Sequence, residues 1–185
     1  MKGTGWLQWV PLNWMRQNGY FTDPFLEKQA LVPAACVSGT KDRVSWRYAA
    51  DAPADWLTAD FDDSKWQTGM GPLSNAKDSA MQPKPNAACH YIRIPFDSTT
   101  ANFNAWKLYV KNAHRYSEVA VYLNGTCIAW IEPWRDEYRW VDLVPDALRF
   151  LKKGRNILSA RVSNPGLFDI GLYADPGEDG AIEHD

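Results

Sequence analysis

Apolar and polar residues alternate one for one along several short segments of this chain, the period of a strand that buries a single face. The clearest case runs from Glu118 to Ile131. Val119, Val121 and Leu123 alternate with Ala120 and Tyr122, the run ends at Asn124-Gly125, and Thr126 to Ile131 returns as a second strand. Asn-Gly between two such runs signals a hairpin, because both residues accept the positive φ of a tight two-residue turn. Cys89 to Phe96 repeats the pattern, with Ile92, Ile94 and Phe96 on one side and Tyr91 and Arg93 on the other. Trp106, Leu108 and Val110 do the same against Lys107, Tyr109 and Lys111.

Shorter strands are expected at Val44 to Tyr48, Tyr138 to Leu143, Asn156 to Ser163, and Phe168 to Tyr173, the last broken by Gly171. Trp6 to Trp14 reads as an aromatic strand that Pro11 confines to an edge, and Asp23 to Gln29 as a helical turn. Pro145 to Lys152 is the one predicted helix, about two turns long, with Pro in its first turn and Gly154 past its end. Asp60 to Trp66 forms a corner, its Asp and Ser side chains bonding nearby amides while Phe61 and Trp66 pin it to the core. Gly69 to Ala87 has no apolar period and reads as a long functional loop. Many short strands with a single short helix predict an all-β antiparallel sandwich. Residues 1–43 would be a lead-in strand and connection, 44–174 the sandwich, and 175–185 a frayed tail.

The 185 residues suffice for one domain with its own core, so neither a metal nor a disulfide is needed for folding. The 10 Trp, 8 Tyr and 7 Phe exceed what a core needs, which sends some rings to solvent or to a ligand. With 20 Lys and Arg against 22 Asp and Glu the net charge is -2, which provides no footprint for nucleic acid or an anionic membrane. Cys36, Cys89 and Cys127 lie in no metal spacing; they allow one disulfide with a thiol left over, and three buried thiols are the expectation. The start lacks the apolar run of a signal peptide, and nothing resembles a membrane-spanning segment of about 20 apolar residues. That leaves a cytoplasmic protein or a piece of a longer, exported chain.

Trp46-Arg47-Tyr48, then Phe61-Asp62-Asp63-Ser64-Lys65-Trp66 with Gly69, Gly71 and Pro72, then Tyr91-Ile92-Arg93 and Val121-Tyr122-Leu123-Asn124-Gly125 occur in that order. Leu151-Lys152-Lys153-Gly154-Arg155-Asn156 and Asp169-Ile170-Gly171-Leu172 follow. The series resembles the galactose-binding-like jelly-roll domains attached to bacterial glycoside hydrolases, over residues 44 to 174. The resemblance implies a jelly-roll sandwich, an accessory role, and a periplasmic or extracellular setting. The chain departs from that family in carrying His114-Arg115-Tyr116 before the hairpin, where relatives often carry acids.

Catalytic motifs are absent. No serine sits in a Gly-x-Ser-x-Gly elbow, no Gly-rich phosphate loop occurs, and Cys89 and His90, as strand neighbours, point to opposite faces. Glu132, Asp136, Glu137, Asp62 and Asp63 are the acids from which a glycosidase pair would have to come, and Asp62 and Asp63 belong to the corner. Asp60, Asp62 and Asp63 are candidate ligands for a structural calcium ion, although no Asp-x-Asp-x-Asp-Gly loop is present; no other cofactor is expected. Trp134, Arg135, Asp136, Glu137 and Tyr138 combine aromatic faces with hydroxyl-bonding groups, the mixture that holds a pyranose ring. Tyr91, Arg93, Lys107, Tyr109 and Tyr122 form a second candidate surface on one wet sheet face. The expectation is a non-catalytic carbohydrate-binding accessory module of a larger glycan-degrading protein, its partner a glycan or a neighbouring catalytic domain. The alternatives are a scaffold domain that binds no sugar and, behind it, a small glycoside hydrolase.

Overall fold

The computed structural model describes residues 32–35, 45–76, 79, 81–85, 87–98, 105–133 and 137–175, all within the unit Val32–Asp185. The strands are β1 (Val32–Ala35), β2 (Ser45–Ala49), β3 (Gln67–Met70), β4 (Leu73–Ser74), β5 (Cys89–Ser98) and β6 (Ala105–Asn112). They continue with β7 (Val119–Leu123), β8 (Thr126–Ile131), β9 (Arg139–Asp142), β10 (Gly154–Ser163) and β11 (Leu167–Asp175). They form two antiparallel sheets, which makes the fold an all-β sandwich. One sheet runs β3-β2-β5-β10-β7-β8; the other runs β1-β11-β6-β9, with β4 also pairing with β11. The expected strands at Trp6 to Trp14, the turn at Asp23 to Gln29 and most of the tail lie outside the described residues.

Alternation places one row of each strand between the sheets. Trp46, Ile92, Ile94, Val121 and Leu158 from the six-stranded sheet meet Leu108, Val110, Phe168, Ile170 and Leu172 from the other in one cluster. The Trp46 ring lies 6.3 Å from that of Phe168, across the interface. Each such buried side chain stabilises the fold by about 1.5–3 kcal/mol.

The predicted hairpin is β7 and β8, joined by Asn124 (φ 49°) and Gly125 (φ 90°). Asn124 reaches beyond its own turn. Its Nδ2 donates to the Phe150 carbonyl at 2.7 Å and to Asn156 Oδ1 at 2.8 Å, while its Oδ1 accepts the Ile157 amide at 2.9 Å. Asn156, fully buried, also accepts from the Lys152 amide and donates to the Lys152 and Gly154 carbonyls. Two asparagines thus tie the hairpin to the turn entering β10.

Three expectations are corrected. The helix at Pro145 to Lys152 is only a 3-10 turn over Ala147–Phe150, because Asp146 at φ 63° takes the backbone out of the right-handed helical region. Gly171 does not break the last strand: β11 pairs continuously with β6 from Phe168 to Asp175. Gly69 to Ala87 is not irregular throughout, since it holds the end of β3, then β4, and a bridge between Leu73 and Met81. Met81 is fully buried against Gly69, where an added Cβ would lie 2.3 Å from Met81 Cγ. Glycine at position 69 is what lets the 81–85 segment approach β3.

Candidate functional site

Of the expected sugar-contacting loop, Trp134, Arg135 and Asp136 lie outside the described residues. Glu137 accepts from Arg139 Nε at 3.1 Å and Nη2 at 2.9 Å. Tyr138 turns onto the outer face of the five-stranded sheet, where its hydroxyl donates to Asp169 Oδ2 at 2.6 Å. Asp169 is fully buried although it sits on that outer row, and its Oδ1 accepts the Ile170 amide. Burial, joined by the Asp169 carboxylate, raises the Tyr138 pKa well above that of an ordinary phenol, so the ring stays a neutral donor.

Register assembles the rest of this face. Tyr109 stands opposite both Trp140 and Gly171, Lys111 opposite Asp169, and Lys107 opposite both Tyr173 and Asp142. Residues opposite one another in an antiparallel pair share a face. The Tyr109 ring stacks on Tyr138 at 4.9 Å and lies 4.6 Å from Trp140, and Trp140 meets Tyr173 edge-on at 5.5 Å. Lys111 Nζ lies 5.4 Å from the Tyr138 ring centroid and Lys107 Nζ 3.0 Å from Asp142. The four rings are half-buried. Trp140, Asp169 and Tyr173 were not among the expected site residues. The alternation of Asp169, Gly171 and Tyr173 carried the signal, but only the pairing of β11 with β6 joins them to Tyr109.

The second candidate surface is not one surface. Lys107 and Tyr109 belong to the five-stranded sheet, whereas Tyr91, Arg93 and Tyr122 lie on the outer face of the six-stranded one. That outer face is covered by the chain's own Ala52 to Trp66, the corner at Asp60 to Trp66 together with the segment that leads into it. Trp56 meets Tyr91 at 5.1 Å and Tyr122 at 5.8 Å, both edge-on, and stacks with Trp66 at 6.2 Å. Arg93, expected to be solvated, is 1% exposed. It donates to Asp63 Oδ2 at 2.9 Å, to the Thr58 carbonyl at 3.2 Å and to the Trp56 carbonyl, and lies over the Phe61 ring.

Two acids of the corner, Asp62 and Asp63, are thereby committed. Asp62 Oδ1 accepts the Ser64 amide at 3.0 Å, bonds to Ser64 that lower its pKa, and Asp63 holds Arg93. Among the described residues no three His, Cys, Asp or Glu side chains gather as metal donors, Asp60, Asp62 and Asp63 included. Of the three cysteines expected to be buried, Cys36 lies outside the described residues, Cys127 is exposed and Cys89 half-buried; the latter two are free thiols.

Two clefts adjoin the 81–85 segment. The larger, of about 570 Å³, runs between the β2–β3 end of the six-stranded sheet and Gln82 to Pro85, and is lined by Asp51, Lys65, Trp66, Gln67, Gln82, Lys84 and His90 among others. The smaller, of about 500 Å³, shares Gln82 to Pro85 and His90 and adds Asn75, His114 and Asn164. His90 lies on the inward row of β5 and is 1% exposed. Its Nε2 accepts the Lys84 amide at 2.8 Å, which requires the proton of the neutral ring to sit on Nδ1. That Nδ1 has no hydrogen-bond partner among the described residues. Burial lowers the His90 pKa, so the ring is neutral near pH 7. Asp51 is the sole carboxylate residue lining either cleft among the described residues.

No family model and no curated protein sequence matches the chain. Among solved structures, the fold is similar to part of a Bacteroides uniformis beta-glucuronidase, at 19% identity and TM-score 0.53, over 72% of this chain and 17% of that one. It is also similar to part of a Bifidobacterium dentium beta-glucuronidase complexed with coumarin-3-O-glucuronide, at 12% identity and TM-score 0.53, over 80% and 30% of the two chains. A glycosyl hydrolase family 2 member from Bacteroides cellulosilyticus gives 15% identity and TM-score 0.50, over 71% and 20%. At these identities the likeness is one of fold. The chain spans between 17% and 30% of the length of these three enzymes.

Proposed function

We propose that this chain is a non-catalytic β-sandwich domain of a larger glycoside hydrolase, and that it packs on a neighbouring domain through the outer face of its five-stranded sheet. The observation that carries the packing is the Tyr109, Tyr138, Trp140 and Tyr173 cluster over buried Asp169. Contiguous aromatic surface of this kind is characteristic of interfaces, and here the opposite outer face is already covered by the corner and the segment leading into it. The larger enzyme is inferred from the fold similarity and from the fraction of those glycosidases that the chain spans. Tyr138, stacked and hydrogen-bonded, favours packing over a solvent-facing sugar platform at this loop.

Glycan binding at the same face is the second reading, favoured by the ring pair Tyr109 and Trp140 flanked by Lys107 and Lys111. Hydroxyl-radical footprinting separates the two. Tyr109, Trp140 and Tyr173 are expected to be oxidised in the 185-residue chain and protected in the longer protein without sugar. Equal oxidation in both would sink the packing reading, and turnover of aryl glycosides by the chain alone would sink the non-catalytic one.

A further inference from the structure

We infer that the cleft between Trp66 and the Gln82–Pro85 segment is a binding site for an acidic saccharide, a pyranose that carries a carboxylate. Its volume, about 570 Å³, falls in the range of small-ligand sites. The wall is Trp66, half-buried and backed by the edge of Phe61 at 5.5 Å and by Trp56. A ring fixed in this way presents an apolar surface to the C–H face of a pyranose without ordering anything new on binding.

Polar groups line the same cleft. Gln67 offers an amide to sugar hydroxyls, and Lys65 and Lys84 place two cations against Asp51, the single carboxylate among the described lining residues. That imbalance selects an anionic ligand. His90, a buried lining residue, accepts the Lys84 amide on Nε2 at 2.8 Å and so fixes the segment that carries Lys84 beside the cleft. The site goes beyond the packing reading and does not depend on it, because it lies on the six-stranded sheet and uses none of the residues of the aromatic face.

The test is an NMR titration of the ¹⁵N-labelled 185-residue chain with trigalacturonate, and with maltotriose as the neutral counterpart. Trigalacturonate is expected to shift the Trp66 indole, the Lys84 amide and the His90 ring signals, and to bind at least about tenfold more tightly than maltotriose, the effect of one charge-assisted contact. Trp66→Ala should abolish binding but also loosens the corner, so the deciding variant is Lys65→Glu with Lys84→Glu, both at exposed positions. This pair should leave the spectrum folded and weaken trigalacturonate by more than about tenfold, with added salt weakening the parent chain likewise. Equal affinity for the two sugars, unchanged binding by the charge-reversed variant, or no shift at the cleft would each overturn the proposal. Shifts confined to Tyr109, Trp140 and Tyr173 would overturn it while supporting a glycan site on the aromatic face.

Discussion

The Arg93 guanidinium, buried on the outer row of β5, donates from Nε to Asp63 Oδ2 at 2.9 Å, and this contact fastens the corner to the six-stranded sheet. Arg93 is 1% exposed and its other donors go to the Trp56 and Thr58 carbonyls. Asp63, with a quarter of its side chain exposed, is the only carboxylate among these acceptors. Asp63→Ala therefore leaves a buried cation without its counter-charge and is expected to lower stability by about 2–4 kcal/mol in urea unfolding. A loss below about 0.5 kcal/mol, the size of an exposed surface pair, would show that the contact does not hold the corner.

The Asn156 side chain makes four hydrogen bonds while fully buried, one of them to Asn124 at the hairpin turn. Asn156→Ala orphans the Lys152 amide and removes one of the three hydrogen bonds of the Asn124 side chain. The expected loss is about 3 kcal/mol or more, with increased hydrogen exchange at both the Asn124-Gly125 turn and Gly154. Exchange that rises at Gly154 alone would mean that the two turns are not coupled.

Stability should depend on pH through His90. Burial sets its folded pKa below the ordinary 6.5. In the interval between the two values the unfolded chain binds more protons than the folded one, so stability rises with pH. The contribution is complete above about pH 6.5 and declines as the pH falls towards the folded value. Protonation also turns Nε2 into a donor, which ends its acceptance of the Lys84 amide. Thermal melts of the parent chain should drop as the pH falls below about 6.5, and those of His90→Gln should be flatter over that range. Identical slopes would assign the pH dependence to other groups.

Tyr138→Phe keeps the ring stacked on Tyr109 but removes the hydroxyl from Asp169. A hydrogen bond to a buried carboxylate contributes about 1.5–3 kcal/mol, and the melting temperature should fall accordingly. Tyr138→Ala should be worse, since it also strips a ring from the cluster; equal losses would show that the ring contributes nothing beyond its hydroxyl.

Much of the sandwich was legible because strands announce themselves locally. The alternation of Ile92, Ile94 and Phe96, and of Trp106, Leu108 and Val110, gave the correct inward rows, and Asn124-Gly125 gave the turn. Arg93 was misread for the same reason. Its parity is outward, as expected, but the corner and the segment leading into it, Ala52 to Trp66, fold over that row and bury it. β4 and the bridge at Met81 were missed because a two-residue strand has no period to detect.

What the sequence determined by itself is which residues form strands, which side of each strand is apolar and where the tight turns fall, since side-chain period and backbone preference are properties of neighbouring residues. What only the tertiary structure decided is strand order and cover. Order put Tyr109 between Trp140 and Gly171 and separated it from Tyr91, and cover buried Arg93 while leaving a cleft beside Trp66 and His90. Those outcomes depend on contacts between residues far apart in the chain, and no local pattern encodes which distant segment will supply them.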